Sequence, residues 1–414
     1  MTKPTLGVEQ GTTTRRAGAW QAALLLAGSC MPVMGAVLIT PVLPQLSQHF
    51  AGEPGSDVLV PMIVAIPALM IAIFAPFAGQ IIDRLGRKNL LVVAMLAYAI
   101  AGTVPAYIDS LTGILISRAF VGLFEAAIMT VCTTLIVDYF HEERRRNKYL
   151  SLQTVATTLG ATLFIALGGA VGSAGWHAPF WIYAIAAPIA IVMVFVLWEP
   201  GRGDATDAHI AVGEKARVPW RILGLPLVVT VFGGFTFYVM VIEVSYLVVG
   251  TGVSAGDTAV IGLVAAIASL ATAAGALTFP RIARRGTAVL LPLAFGLQAV
   301  GMVVVWLFGG FVGVLVGAVI VGYGSGILLP SLVTWVVSRT RFEERGRATG
   351  WWTASFFFGQ FVTPIIMGAL TAATGAPLPV AVGMVGIAAA VVAVVLAFGM
   401  RAGTRTEQAA PTAR

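Results

Sequence analysis

Stretches of about twenty apolar residues recur along this chain, each long enough to cross roughly 30 Å of hydrocarbon as a helix. Twelve are legible: 19–43, 58–81, 90–107, 112–138, 150–173 and 179–198, then 221–249, 257–279, 288–308, 311–337, 348–372 and 378–400. The ninth and tenth are separated only by Gly309 and Gly310. One helix there would hold about fifty apolar residues, far beyond a single crossing, so a turn is expected. Hydrocarbon offers the backbone no hydrogen-bond partners, so a span of this length must be helical. Charged residues make up 10% of the 414, against about 25% in soluble domains. The expected fold class is therefore an all-α integral membrane protein with twelve transmembrane helices. The first run follows Arg15 and Arg16, as in a secretory leader. It extends from Trp20 to about Leu43, too long for a leader core, and reads as a retained helix.

A net charge of +7 can point to nucleic acid, but its distribution argues otherwise. With loops assigned alternately to two sides, the basic residues fall on one of them. Lys3, Arg15 and Arg16 precede the first span; Arg84, Arg87 and Lys88 follow the second; Arg144, Arg145, Arg146 and Lys148 follow the fourth. Arg202, Lys215, Arg217 and Arg221 join the sixth to the seventh, and the arginines at 281–285, 339–347 and 401–414 continue the pattern. Arg118 alone lies inside a span. Basic loops stay in the cytoplasm, so both termini are expected there, in a bacterial-type cytoplasmic (inner) membrane, with no nucleic-acid partner. The expected organisation is a tail at 1–18, a six-helix bundle at 19–198, a cytoplasmic linker at 199–220, a second bundle at 221–400 and a tail at 401–414. His209, in the linker, reads as solvated.

The halves echo one another. HEERRRNKY at 141–149 and FEERGRATG at 342–350 both lie between the fourth and fifth spans of their half, offset by 201 residues. DRLG at 83–86 and ARRG at 283–286 both lie between the second and third, offset by 200. Such repetition predicts two pseudo-symmetric bundles packed face to face.

The stretch GQIIDRLGRKN, 79–89, is a polar turn between two apolar spans. Its glycines permit a sharp turn. Asp83 can pair with Arg87 or with a helix N-terminus, holding two helices together in one state and releasing them in another. Arg84, Arg87 and Lys88 also suit anionic lipid headgroups; on the plainer reading they only set topology. The arrangement Gly79, Asp83, Arg84, Gly86, Arg87 and Lys88 resembles the loop signature G-x-x-x-D-R-x-G-R-K/R of the major facilitator superfamily of secondary transporters. The resemblance covers residues 18–400. It implies alternating access by two pseudo-symmetric six-helix bundles, with these residues forming a cytoplasmic interlock. The second-half copy has Ala283 in place of the aspartate, so any interlock there is weaker or uses other groups.

Arg118 in the fourth span would cost about 2.5 kcal/mol or more if it faced lipid, so a cavity or a partner is expected. Glu125 lies seven residues on, about two turns along the same face and roughly 10 Å away. That is too far for a direct bond and short enough for a link through water or substrate. The resemblance matches Arg118 and Gly122 to an R-x-x-x-G arrangement tied to proton coupling in proton-linked members; the alternative is a structural arginine held by carbonyls. Glu243, in the seventh span between Tyr238 and Tyr246, is a second buried carboxyl. It suits a proton carrier or a counter-ion for cationic cargo, unless the helix is shifted outward and it is merely interfacial. Arg118, Glu125 and Glu243 are the proton-coupling candidates. Thr40, Gln153, Thr157, Tyr238, Tyr246, Tyr323, Trp335, Phe357 and Gln360 are candidates for a substrate cavity, with interhelix packing as the alternative. Cys30, Met31, Met34, Met129 and Cys132 are soft ligands that suit Cu(I). No histidine joins them, and no metal is expected.

No G-x-x-x-x-G-K-S/T loop, H-E-x-x-H or G-x-S-x-G motif occurs, so neither ATP-driven transport by this chain nor hydrolysis is expected. Drug-expelling antiporters of the resembled family carry G-P-x-x-G-G in the fifth span. Here Gly168 and Gly169 match the last pair and Trp176 follows at the family's distance, but Phe164–Ile165 replace the Gly-Pro. Gly160, Gly168, Gly169 and Gly172 permit close helix packing. The sequence favours a proton-coupled exporter of small hydrophobic or amphipathic compounds. A proton-coupled uptake permease for a small organic acid, and a non-transporting membrane receptor, remain open. The expected partners are a small-molecule substrate and membrane lipids. The proton serves as coupling ion with no other cofactor, and a monomer is the expected functional unit.

Overall fold

The computed structural model describes residues 17–77, 86–200, 220–341 and 344–409. Among them, twelve helices are long and apolar enough to cross a membrane: α1 (Ala19–His49), α2 (Ser56–Phe77), α3 (Arg87–Ala106), α4 (Leu111–Tyr139), α5 (Glu143–Gly172) and α6 (Ala178–Val196), then α7 (Trp220–Gly250), α8 (Thr258–Arg285), α9 (Thr287–Phe308), α10 (Gly310–Val337), α11 (Arg345–Thr374) and α12 (Leu378–Met400). The expected turn after Phe308 is present: Gly309 and Gly310 have φ of 51° and 60°, a region that glycine enters without steric cost. The loops rich in arginine and lysine define a basic face of the molecule; the other loops define the opposite face.

Several helices run past the limits of their apolar stretches. α5 begins at Glu143, so Arg144–Lys148 form its first two turns rather than a loop. α8 continues through a 3-10 turn at Ala283–Arg285, and the helix containing α12 reaches Ala409. Hydropathy marks where lipid ends. Arginine, lysine and glutamate are good helix formers and extend the backbone hydrogen bonding beyond that point.

α1 departs from regularity in the other direction. It is α-helical over Ala19–Val37, tightens to a 3-10 turn at Thr40–Val42 and resumes at Leu43–His49. Pro41 and Pro44 lack an N–H, which leaves the carbonyls four residues earlier, Val37 and Thr40, without their helical donors. Thr40 Oγ1 donates to the Val37 carbonyl at 2.9 Å, and the Thr40 carbonyl accepts both the Leu43 N–H of the 3-10 turn and Ser245 Oγ of α7 at 2.7 Å.

Each half builds its own apolar core, with a small exchange between them. Tyr238 and Ile242 of α7 join the core of the first half, and Ile165 of α5 joins that of the second. The repeat also holds in packing detail. A methyl group on Gly122 of α4 would overlap the backbone of Pro67 in α2, and one on Gly322 of α10 would overlap the carbonyl of Ala268 in α8. The two glycines are 200 residues apart and their partners 201.

Hydrogen bonds between the halves join them toward the opposite face. Thr258 Oγ1 of α8 donates to the Gly169 carbonyl of α5 at 2.7 Å. The Tyr246 and Ser47 hydroxyls pair at 2.9 Å, and deeper in, Thr162 and Ser269 pair at 3.0 Å. Gly168 and Gly169 make this possible: the first lies against the Leu38 carbonyl of α1, the second against Gly262 of α8. Gly172 abuts Val42 and Thr258, and Gly160 abuts Cys30. Toward the basic face α5 loses this cover. Phe164, Ile165, Gly168, Gly169 and Gly172 are buried, and none of its residues 143–163 is.

Candidate functional site: a buried arginine and carboxyl on α4

Ser110 starts α4, its Oγ accepting from the Gly113 N–H at 3.3 Å, and the uninterrupted helix then carries Arg118 and Glu125 on one face. Both side chains are enclosed, at 0% and 1% exposure. Pro105 leaves the Ala101 carbonyl of α3 without its helical donor. Arg118 Nη2 lies 3.5 Å from that oxygen and donates to the Gly102 carbonyl at 3.1 Å. The guanidinium sits over two rings of α6, 4.7 Å from the centroid of Tyr183 and 5.3 Å from that of Phe180. Carbonyls and ring faces are both regions of negative potential, so the cation is held without a carboxylate. Nε and Nη1 keep unused donors.

Glu125 points at α1. Its Oε1 occupies the space where a side chain on Gly35 would begin, and that oxygen accepts no hydrogen bond. Two tyrosines enclose it. Tyr98 of α3 donates to the Met31 carbonyl at 2.6 Å, and Tyr183 donates to the Gly35 carbonyl at 3.3 Å, their rings 5.4 Å apart. Among the described residues no ion pair joins Arg118 to Glu125, in keeping with their separation of two turns. Arg118 is nonetheless the charged side chain that shares the buried face of α4 with Glu125. A proton on Glu125 removes one of two enclosed charges, and its loss leaves a carboxylate drawn toward the guanidinium. Sequence reasoning missed Gly35, Tyr98, Tyr183 and Phe180. The apolar runs give no sign of which helices face one another.

The second half holds a different arrangement at the equivalent place. The offset of 200 carries Tyr98 onto Gln298 of α9, Glu125 onto Ser325 of α10 and Arg118 onto Ala318. Thr236 Oγ1 of α7 donates to Gln298 Oε1 at 2.9 Å, and Gln298 Nε2 donates to Ser325 Oγ at 2.8 Å. This network is neutral and closed. At these equivalent positions the ionisable groups belong to the first half.

Glu243 stands apart. It lies seven residues from the opposite-face end of α7, about 10 Å along the axis. It is 6% exposed and three residues from Tyr246 on the same helix. Tyr238 and Tyr246 lie in the contact between the halves, and Thr40 is buried at the α1 kink. Gln153 donates to Ser29 Oγ at 2.8 Å and to Thr133 Oγ1 at 3.0 Å, tying α5 to α1 and α4. Thr157 donates to carbonyls of its own helix. Tyr323 and Phe357 are half-buried. Gln360 and Trp335 are buried, and the Arg339 guanidinium lies over the Trp335 ring at 5.3 Å.

Of the loop signature, Gly79, Asp83 and Arg84 lie outside the described residues. Gly86 opens α3, and Arg87 forms an ion pair with Asp138 at the end of α4. The backbone N–H groups of Arg87 and Lys88 donate to the two oxygens of Glu199 at 2.6 and 2.8 Å. A carboxylate thus caps the positive end of the α3 dipole. Beside it, Tyr139 donates to the Trp198 carbonyl at 2.6 Å and accepts from the Trp198 N–H at 3.0 Å. Asp138 and Glu199 were not anticipated as partners of this turn; Glu199 reads in sequence as the first residue of a solvated linker.

Twelve apolar helices and a repeat expressed in packing define a multi-pass membrane protein built from two related halves. The chain belongs to the Major Facilitator Superfamily, whose sequence profile matches residues 25–311 and 241–414. It is 28% identical over 217 residues to the class D tetracycline resistance protein of Salmonella ordonez, covering 52% of this chain and 54% of that one. It is 22% identical over 204 residues to the quinolone resistance protein NorA of Staphylococcus aureus, covering 49% and 52%. The chain thus spans about half the length of these curated relatives. The solved D-xylose–proton symporter shares the fold, with a TM-score of 0.73, 16% identity and coverage of 91% and 96%.

Proposed function

We propose that this protein is a proton-coupled secondary transporter that exports small hydrophobic or amphipathic compounds by alternating access. The observation that carries the reading is the Arg118–Glu125 site: an enclosed cation and carboxyl, unpaired with each other, each keeping polar atoms without partners. A buried carboxyl of this kind can exchange a proton as access alternates. Export is supported by the names of the tetracycline and quinolone resistance proteins to which the chain is similar. The bias of arginine and lysine supports a cytoplasmic position for the basic face and both termini, in a bacterial inner membrane. Hydrogen bonds join the halves at the opposite face, and at the basic face α11 still meets α2, Gly350 lying against Pro76, while the basic half of α5 is uncovered. Nothing in this mechanism needs a second copy, so a monomer is the functional unit.

The test is flux in proteoliposomes under an imposed pH gradient. A tetracycline, a fluoroquinolone, a lipophilic cation and a small organic acid are compared, with a pH dye reporting the interior. Substrate and proton should move in opposite directions, and Glu125→Gln should abolish the gradient-driven component while ligand binding remains measurable. Movement of the organic acid together with protons would replace export by uptake. Gradient-driven flux undiminished in Glu125→Gln would remove Glu125 from coupling.

A further inference from the structure

α7 sends one side chain into the first half at the level of the carboxyl site. Tyr238 is 2% exposed, and its hydroxyl lies 2.8 Å from the Val64 carbonyl of α2 and 3.3 Å from the Ala36 carbonyl of α1. Ala36 follows Gly35, the residue whose missing side chain makes room for Glu125 Oε1. The same short piece of α1 therefore receives the carboxyl on one side and the hydroxyl of the other half on another. Two further hydroxyl contacts from α7 lie nearer the opposite face: Ser245 on the Thr40 carbonyl, and Tyr246 on Ser47. Neither touches the Gly35–Ala36 piece of α1. The titratable and charged groups gathered around this piece of α1 are Arg118 from α4, Tyr98 from α3 on the Met31 carbonyl, Tyr183 from α6 on the Gly35 carbonyl and Tyr238 from α7 on the Ala36 carbonyl. α1 and α2 contribute backbone there.

We propose that Tyr238 is the positioning residue through which the protonation state of Glu125 controls closure of the opposite-face contact between the two halves. This rests on the proton reading of Glu125 given above. With Glu125 neutral, the carboxyl stays against Gly35, α1 keeps its path at Ala36, and Tyr238 bridges α1 and α2 from the other half. Loss of the proton leaves a carboxylate with no hydrogen-bond donor at Oε1. It moves toward the guanidinium of Arg118 and the α1 backbone at Gly35–Ala36 follows. The geometry that Tyr238 needs is then lost, and the contact opens. Ser245 and Tyr246 hold the same contact shut without reading the carboxyl.

The experiment measures the contact itself and needs no substrate. Spin labels at Ala51→Cys and Gly250→Cys, both exposed and across the α1–α7 contact, report its width by double electron–electron resonance in lipid nanodiscs, in a full-length chain lacking Cys30 and Cys132. From pH 5.5 to 9 the parent should shift from a short to a long distance. Glu125→Gln should stay short throughout. Tyr238→Phe removes one oxygen; its long-distance fraction should be high already at pH 5.5 and change at least threefold less over the series than the parent's. Ser245→Ala, which loosens the contact away from the carboxyl, should raise the long fraction by a similar factor at every pH and keep the parent's titration. With Glu125→Gln flat, a Tyr238→Phe curve that runs parallel to the parent's, or to that of Ser245→Ala, overturns the proposal and leaves the role of Glu125 standing. A parent that ignores pH, or a Glu125→Gln that titrates like the parent, overturns both.

Discussion

At the scale of single residues, Gly35 carries as much of the argument as the charges it serves. Any side chain there would begin where Glu125 Oε1 lies, so Gly35→Ala should evict the carboxyl without changing a titratable group. The expected outcome is at least a tenfold loss of gradient-driven flux with normal amounts of protein in the membrane; unchanged flux would show that Glu125 works from another position. Arg118→Lys makes a complementary test. Lysine keeps the charge but cannot spread over two rings while reaching the carbonyls at the end of α3, so gradient-driven flux should fall nearly as far as in Arg118→Ala. Full activity in Arg118→Lys would mean that charge alone suffices. Arg118 and Glu125 were legible in the sequence because a charge within an apolar run has so few physical explanations. Gly35, Tyr98 and Tyr183 were not. Glycine and tyrosine are ordinary in membrane helices, and what singles these out is contact between helices far apart in the chain.

At the scale of elements, the close approaches of α4 to α2 and of α10 to α8 are the same device used twice. Gly122→Val and Gly322→Val should each force their helix off a neighbouring backbone, at a cost of about 1–3 kcal/mol for overpacking. Thermal unfolding in detergent would show this as a lower transition temperature for both. An unchanged value for either would mean that its helix pair yields freely. The kink in α1 can be tested as a whole. Pro44→Ala adds an α-helical N–H donor at the Thr40 carbonyl beside the Leu43 N–H and Ser245 Oγ it already accepts, so the opposite-face contact should weaken, read as a longer α1–α7 distance at acid pH. A distance equal to the parent's would show that the prolines shape α1 without exposing it to α7. The number and order of these helices were legible, because length and apolarity are local properties. Their ends were less so: the arginines that open α5 look like a loop to a hydropathy reading, although they are strong helix formers.

At the scale of the whole molecule, the two halves share a backbone plan and divide the chemistry. At the equivalent places, one holds an arginine and a carboxyl with unused polar atoms, the other a chain of neutral groups in which Thr236, Gln298 and Ser325 bond one another. The offset of 200 was readable from the loops, yet the loops say nothing about what stands at matching depths inside the spans. A buried network with every member paired contributes rigidity, and removing one member leaves its partner unsatisfied, at about 1–3 kcal/mol. A buried carboxyl without a partner contributes little to stability and much to sensitivity toward protons. Substitutions at the two equivalent places should therefore separate two properties that a symmetric transporter would lose together. Ser325→Ala should lower the thermal transition in detergent and leave the ratio of protons to substrate in proteoliposomes unchanged. Glu125→Gln should leave the transition unchanged or raise it, because it replaces an ionisable group by a neutral one of the same shape, while abolishing gradient-driven flux. If Ser325→Ala alters the proton-to-substrate ratio, or if Glu125→Gln destabilises as strongly as Ser325→Ala, the second half takes part in coupling and the division of labour is wrong.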